Sequence, residues 1–153
     1  MPEIIDHIDR AILAALQKDA AQTVETLAER VGLSRNACWR RVRRLDEAGV
    51  IARRVALLDP AKLELGLSVF ILVKAKEHSP DWLDALRRLV NAMPEIVGAY
   101  RMTGDLDYLL RVRVADVAAY DAFYKRLIAK ARLADVSASF VMEELKDTTE
   151  LPL

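Results

Sequence analysis

The sequence predicts an α+β fold in which a three-helix unit comes first and a sheet unit of the order βαββαβ follows. Two patterns of apolar residues predict this order. In the first third of the chain apolar residues recur at helical spacing, whereas from Leu67 onward they alternate as in buried strands. Asp59-Pro60 lies between the two patterns and is typical of a break between elements. We therefore predict domains over residues 1–60 and 61–153.

Composition indicates a folded protein of the cytoplasm. Hydrophobic residues make up 53% of the 153-residue chain and charged residues 30%, which supplies a core and argues against disorder. The single cysteine, Cys38, excludes an intrachain disulfide and favours a reducing compartment. The longest apolar run, residues 67–73, is too short to cross a bilayer, and the acidic start does not resemble a signal peptide. We expect a soluble protein without a membrane partner.

Three capped helices are predicted in the first unit. Asp6 and Thr23 can cap the first two, and Gly32 supplies the permissive backbone for a tight turn before Ser34 caps the third. Two helices joined by such a turn form a helix-turn-helix. The apolar stripes that would share one core are Ile5, Ile8, Ile12, Ala15 and Leu16, then Val24, Leu27, Ala28 and Val31, then Cys38, Val42 and Leu45.

Positive charge is concentrated in and after the third helix, although the formal net charge of the chain is zero. Residues 35–54 contain seven arginines and two acidic residues, a local charge of +5, so the rest of the chain carries −5. A focused positive surface can dock on phosphates while the acidic remainder limits promiscuous binding. The helix-turn-helix and this charge together predict double-stranded DNA as a partner.

Helical rotation from the Ser34 cap places five residues on one side of the third helix, which we call the reading face: Arg35, Asn36, Trp39, Arg40 and Arg43. Arg35 can read guanine and Asn36 adenine through paired hydrogen bonds. Trp39 would either touch a sugar or thymine methyl or pack against neighbouring protein. A solvated arginine face is the alternative, but the preceding turn favours DNA.

Residues 50–58 are rich in β-formers and predict a wing or a linking strand, followed by an extended connector over residues 61–66. Arg53 and Arg54 lie at the centre of the predicted wing. Together with Arg44 they are suited to phosphates, which fix the register of a protein on DNA without conveying sequence.

The second unit is predicted to be ferredoxin-like, an antiparallel sheet with both helices on one face. Strands are predicted over residues 67–73, 97–103, 108–114 and 136–145. Ser79 and Asp116 can cap the two helices, and a four-residue connection from Gly104 to Asp107 would join the hairpin. The bare face of such a sheet needs a cover, so we predict a homodimer or a higher assembly.

Motifs in both units resemble the Lrp/AsnC, or feast/famine, family of regulators. They are IDRAILAALQKDA at 8–20, LAERVGLSRNACWRRVRRLDEAGVI at 27–51, ALLDPAKLELGL at 56–67, TGDLDYLLRVRV at 103–114 and MEELKDTTELPL at 142–153. The resemblance implies a winged helix-turn-helix and a domain that dimerises, often builds octamers, and senses an amino acid or a related metabolite. Arg35-Asn36 stands where relatives often have proline, and Trp39 is bulky, so the operator sequence stays open.

With this resemblance, the hairpin connection is predicted to contact an amino-acid effector. Gly104 permits close backbone approach, and Asp105 and Asp107 could receive the ammonium group. A hairpin turn built of good turn formers is the alternative. The full candidate effector set is Tyr100, Met102, Thr103, Gly104, Asp105, Asp107, Tyr108, Ser137 and Ser139. A dimer implies a near-palindromic operator, because two related subunits meet two related half-sites.

The sequence disfavours two other classes of protein. Haem-modifying decarboxylases include Lrp-like subunits, but His7 and His78 are isolated and no Cys/His grouping has metal-ligand spacing. Cys38 has no evident base beside it and is predicted to face inward, which disfavours a nucleophile. A ligand sensor without DNA binding is disfavoured by the arginines. We predict no catalytic residue, no metal and no cofactor.

Overall fold

The computed structural model describes residues 5–153 and divides into two compact units. The first runs to Leu57 and includes the terminal segment Lys146–Leu153, and the second is Leu58–Leu145. The predicted limit lay at residue 60 and left the terminal segment in the second unit. The difference has a local cause, because the Gln17 side chain accepts from Leu151 N at 2.6 Å and donates to Leu151 O at 3.1 Å.

Three helices form the first unit: α1 is His7–Lys18, α2 is Val24–Val31 and α3 is Arg35–Glu47. Each begins at its predicted cap. Asp6 accepts from Asp9 N, Thr23 from Thr26 N and Ser34 from Ala37 N, as N-cap side chains do. Gly32 ends α2 in the left-handed region, with φ of 68°. The predicted helix-turn-helix is therefore formed.

The core of the first unit lies among the three helices. Its buried residues are Ile12, Leu13, Ala15, Leu27, Ala28, Cys38 and Leu45. Leu13 was not predicted, and the other predicted inward residues are half-buried and pack against this cluster. Residues 50–58, predicted to be a β-rich wing or linking strand, form no strand in the described chain. Most of this segment is exposed, so its β-branched residues lack the partner strand that β structure requires.

The second unit is an antiparallel sheet with two helices. Its strands are β1, Leu67–Ala75; β2, Ile96–Arg101; β3, Tyr108–Val114; and β4, Leu133–Phe140, and its helices are α4, Pro80–Ala92, and α5, Val117–Lys130. The spatial strand order is β2-β3-β1-β4. The predicted βαββαβ order is confirmed. The predicted extended connector over residues 61–66 instead contains a short 3-10 turn, Ala61–Leu63.

Alternate residues of the central strands form the core of this unit. Val69, Ile71 and Val73 of β1 are buried in one cluster with Leu86 of α4 and Phe123 of α5. Both helices therefore pack on the same face of the sheet. No helix within residues 5–153 combines the length and the apolar content that a membrane span requires.

Several details of this unit differ from the sequence prediction. β1 extends to Ala75 and β2 is Ile96–Arg101, where residues 67–73 and 97–103 were predicted. β4 begins at Leu133 and ends at Phe140, whereas residues 136–145 were predicted. The apolar residues of α5 recur at helical spacing between Val117 and Ile128, which predicts one buried stripe, yet Val117 and Ile128 are 64% and 45% exposed. Phe123 and Leu127 are the fully buried part of that stripe, and Tyr120 packs against the same core partly buried.

Candidate nucleic-acid interface and ligand site

The reading face of α3 projects into solvent. Asn36 and Arg40 are exposed, and within residues 5–153 no side-chain partner holds them. Arg35 forms an ion pair with Glu25 of α2, but its side chain is still 70% exposed. Ion pairs at such exposure are weak and can be exchanged for a phosphate or a base at small cost. This face therefore presents donors of the kinds that read bases and bind phosphates.

Trp39 and Arg43 form a pair at the centre of the reading face. The Arg43 guanidinium lies 5.4 Å from the centroid of the Trp39 ring, within the range of a cation–π contact. Arg43 also donates through Nε to Glu47 at 2.6 Å. Trp39 is 49% exposed although it is apolar, so the helix presents an aromatic surface beside its arginines.

Two other arginines of α3 point toward α1 instead. Arg41 donates to Asp6 at 2.7 Å and to Asp9 at 2.8 Å, and Arg44 donates to Asp9 at 2.5 Å. Asp9 is completely buried, so its charge is compensated by these two guanidinium groups. The sequence prediction placed Arg44 among the phosphate contacts and did not anticipate this carboxylate partner.

The same contacts shift ionisation at the start of α1. The pKa of Asp6 falls from 3.8 to about 2, first because Asp9 N–H donates to its carboxylate and then because Arg41 does. The Arg41 pKa is raised, since both aspartates stabilise the charged guanidinium. Asp6 and Arg41 are therefore both charged at neutral pH.

The remaining predicted DNA contacts lie beyond α3. Arg53 and Arg54 are both exposed. Arg54 donates to Asp46 at 2.9 Å, whereas Arg53 has no side-chain partner in the described part of the chain. Cys38 lies on the opposite, buried side of α3, and burial raises its thiol pKa. A buried thiol with a raised pKa is a poor nucleophile.

In the second unit, the hairpin between β2 and β3 is closed by Asp107. Its carboxylate accepts from Ala75 N at 2.7 Å, its own N–H donates to Val73 O at 3.1 Å, and its carbonyl accepts from Met102 N at 2.9 Å. His78 Nε2 lies 3.6 Å from the carboxylate. Asp107 thus fastens the connection to the end of β1.

The rest of the hairpin connection is exposed. Gly104 has φ of 101°, which only glycine adopts without strain, and Thr103 and Asp105 on either side of it are exposed. The connection therefore offers backbone groups to solvent beside the end of the sheet.

Strand register brings three of the predicted effector residues to one surface, away from α4 and α5. Tyr100 pairs with Leu109, Leu109 with Leu72, and Leu72 with Ser137, while Ser139 pairs with Phe70 two residues along. We call this surface the open face; its central residues are Phe70, Leu72, Gly98, Tyr100, Leu109, Arg111, Ser137 and Ser139.

Gly98 gives the Tyr100 ring its place on the open face. A Cβ at position 98 would lie 2.9 Å from the Tyr100 hydroxyl, so only glycine leaves room for the ring as it stands. This contact was not predicted from the sequence. The observation that could have found it is the Gly-x-Tyr spacing, which puts both residues on one face of a strand.

Tyr108 lies apart from the other candidate effector residues. It pairs with Val73 on the face that α4 and α5 cover, is buried, and its ring lies 5.5 Å from that of Trp82. The structure therefore divides the predicted set into the open face, the hairpin connection and the core. In residues 5–153 no group of three or more His, Cys, Asp and Glu residues could hold a metal ion.

Comparison with known proteins matches both units. Residues 5–52 match the sequence model of a winged helix-turn-helix DNA-binding domain, and residues 68–151 match that of the Lrp/AsnC ligand binding domain. The glutamate uptake regulatory protein of Zymomonas mobilis is 52% identical over 149 residues, which cover 97% of this chain and 91% of that protein.

Two solved structures are similar over nearly the whole chain. An AsnC family transcriptional regulator from Agrobacterium tumefaciens has a TM-score of 0.93 at 54% identity, with 96% of each chain covered. A transcriptional regulator from Neisseria meningitidis, solved in complex with L-Met, has a TM-score of 0.94 at 35% identity, with 97% of each chain covered. The chain thus belongs to the Lrp/AsnC family and is a DNA-binding transcriptional regulator with a ligand-binding domain, not an enzyme.

Proposed function

We propose that the reading face of α3 enters the major groove of a near-palindromic operator. The observation that carries this proposal is the exposure of Asn36 and Arg40 on a helix that Ser34 caps. An arginine can donate twice to guanine and an asparagine can pair with adenine, each pair contributing about 1–3 kcal/mol of discrimination. Arg35 can leave Glu25 for a base because that ion pair is exposed.

Outside the bases, Arg44, Arg53 and Arg54 bind phosphates in this proposal. Arg53 and Arg54 lie on the exposed segment after α3. Phosphate contacts of this kind are insensitive to sequence and fix the protein's position on the duplex. Since the operator is genomic DNA, the protein acts in the cytoplasm.

The open face is proposed to be covered by a second copy of the chain. It combines apolar residues such as Phe70, Leu72 and Leu109 with a Tyr100 that is 51% exposed. A surface that meets its own copy is self-complementary under twofold symmetry, which a near-palindromic operator requires. Dimers of this kind can assemble further, to an octamer.

An amino acid is the proposed effector. The relative from Neisseria meningitidis, solved with L-Met, supports this class of ligand. Tyr100, Ser137 and Ser139 would contact it where the two copies meet on the open face, together with the hairpin connection from Met102 to Asp105. In this proposal Asp107 holds the connection in place through Ala75 N, and Tyr108 supports it from the core.

DNA binding is tested by fluorescence anisotropy with the duplex upstream of the protein's own gene. If a dimer neutralises about eight phosphates, log K falls against log salt with a slope near −7. Arg40→Ala and Asn36→Ala should weaken specific binding, whereas Arg87→Ala, which removes an exposed arginine of α4, should not. A salt slope near zero in the unaltered protein would contradict the proposal.

Effector binding is tested by calorimetric titration with the twenty amino acids. Ser137→Ala and Tyr100→Ala should reduce the heat for the amino acid that binds, while Asp121→Ala on α5 should leave it unchanged. Unchanged heats in Asp107→Ala would remove that aspartate from the site.

Analytical ultracentrifugation of Leu109→Glu tests the dimer, since a buried charge at the centre of the open face should yield monomers.

A further inference from the structure

A buried carboxylate ties the third helix of the DNA-binding unit to the first. Asp9 accepts from Arg41 at Oδ1 and from Arg44 at Oδ2, at 2.8 and 2.5 Å, and it also accepts from Asp6 N at 3.1 Å. Both of its oxygens are therefore engaged, and its side chain has no exposure to solvent. Its position within the unit is fixed by three donors.

The two arginines that Asp9 holds differ in exposure. The Arg41 side chain is 26% exposed and also bonds Asp6, whereas that of Arg44 is 44% exposed. Arg44 follows Arg40 by four residues, so the two side chains are neighbours on the helix surface. Arg44 therefore combines a contact to a buried group with partial exposure at the flank of the reading face.

We propose that Asp9 is a positioning residue for DNA binding, which holds the Arg44 guanidinium where it contacts a backbone phosphate. The inference rests on the proposed function and assigns one more residue to it. A guanidinium is a planar fork of five donors, so one edge can bond a carboxylate while another bonds a phosphate oxygen. Because Asp9 already restricts the rotamers of Arg44, the side chain loses less entropy when it meets DNA.

The test is a double-mutant cycle on a generic duplex, because a phosphate contact does not depend on base sequence. Affinity is measured against salt concentration for the unaltered protein, Asp9→Asn, Arg44→Gln and the double variant. Arg126→Gln is the matched control, since it removes an ion-paired arginine from the second unit. Thermal unfolding is recorded for each protein, and Asp9→Glu replaces Asp9→Asn should the latter not fold.

If the proposal holds, Arg44→Gln reduces the steepness of the salt slope by about 0.9 for each Arg44 that contacts a phosphate. Asp9→Asn weakens binding about tenfold, the effect of losing one charge-assisted hydrogen bond, but weakens it no further once Arg44 is glutamine. Arg126→Gln changes neither quantity.

Two results would overturn it. One is a salt slope that Arg44→Gln leaves unchanged, and the other is an Asp9→Asn effect of equal size in both backgrounds, which would mark a purely structural role. In either case the unaltered protein still binds DNA. Failure of the proposed function itself is distinguishable, since the unaltered protein would then show no salt-dependent binding to any duplex.

Discussion

At the scale of single residues, Asp6 links stability to pH. Its carboxylate has a pKa of about 2 in the folded chain against an ordinary 3.8. A folded-state pKa that is depressed means that the stabilisation is fully present above pH 3.8 and is lost as pH falls toward about 2. Asp6 therefore makes the first unit sensitive to acid.

We predict that Asp6→Asn flattens the acid limb of the stability curve. The amide keeps an oxygen that can cap α1, but it has no charge to lose between pH 4 and pH 2. Urea denaturation at a series of pH values measures the effect. Asp19→Asn, which alters an exposed aspartate at the other end of α1, is the control. If the free energy of unfolding falls equally steeply with acid in Asp6→Asn and in the unaltered protein, Asp6 is not the source of the acid sensitivity.

The sequence could predict individual caps but not the Asp9 cluster. Capping depends on residues three positions apart, which a pattern exposes. Arg41 and Arg44 meet Asp9 across 32 and 35 residues, and that pairing exists only once α1 and α3 have packed. For the same reason the sequence could not show that Arg44, a predicted phosphate contact, meets a buried carboxylate.

At the scale of elements, Gly32 fixes the turn between α2 and α3. Its φ of 68° lies in the left-handed region, and a Cβ at this position would meet no atom within 4 Å. Gly32→Ala should therefore cost about 1 kcal/mol through backbone strain alone. Chemical denaturation measures the loss.

Gly66→Ala is the matched control for Gly32→Ala. A Cβ there also meets no atom within 4 Å, but the backbone is not in the left-handed region, so stability should be unchanged or slightly higher. Equal losses at the two glycines would show that the turn is not strained.

Helix α5 provides a second contrast, between two residues that its sequence pattern placed on the same face. Phe123 is 0% exposed and Val117 is 64% exposed. We predict that Phe123→Ala costs about 3–5 kcal/mol in free energy of unfolding and that Val117→Ala costs less than about 0.5 kcal/mol. Denaturation of the two variants in parallel checks this. Similar costs would mean that Val117 is buried in solution.

Element order could be read from the sequence, whereas strand limits could not. β3 was predicted over the residues that form it, because its alternation of apolar residues ends where its pairing with the neighbouring strands ends. β4 was predicted to extend to residue 145, but its limits follow β1, which it pairs from Ala75↔Leu133 to Val69↔Phe140. Residues 50–58 have β-forming side chains without a neighbouring strand. The β propensity of single residues cannot reveal that a neighbouring strand is missing.

At the scale of the whole molecule, the chain concentrates positive charge in one segment. A net charge of zero conceals a local charge of +5 in residues 35–54, and five of those seven arginines belong to α3. DNA binding therefore depends on where the positive charge lies, which the sequence reveals, and not on the net charge of the chain. The candidate ligand site was less predictable, because register alone decides that Ser137 joins Tyr100 while Tyr108 enters the core.

We predict that removing residues 146–153 weakens the first unit and leaves the second unit unchanged. The segment is grouped with the helices, and Leu151 exchanges two hydrogen bonds with Gln17. Amide exchange in α1 should accelerate, whereas exchange in β1 should not. Gln17→Ala, which removes the bonds without shortening the chain, should reproduce part of the effect. Faster exchange in β1 alone would refute the prediction.

The hydrogen bonds between Gln17 and Leu151 have a practical consequence for handling the protein. The polypeptide leaves the helical unit after Leu57 and rejoins it at Lys146, so the sheet unit is an insertion anchored at both of its ends. An affinity tag or fluorophore fused after Leu153 would therefore sit on the unit that binds the operator. A probe intended to report only on the effector is better attached within the insertion, for example at the exposed Asp121 of α5.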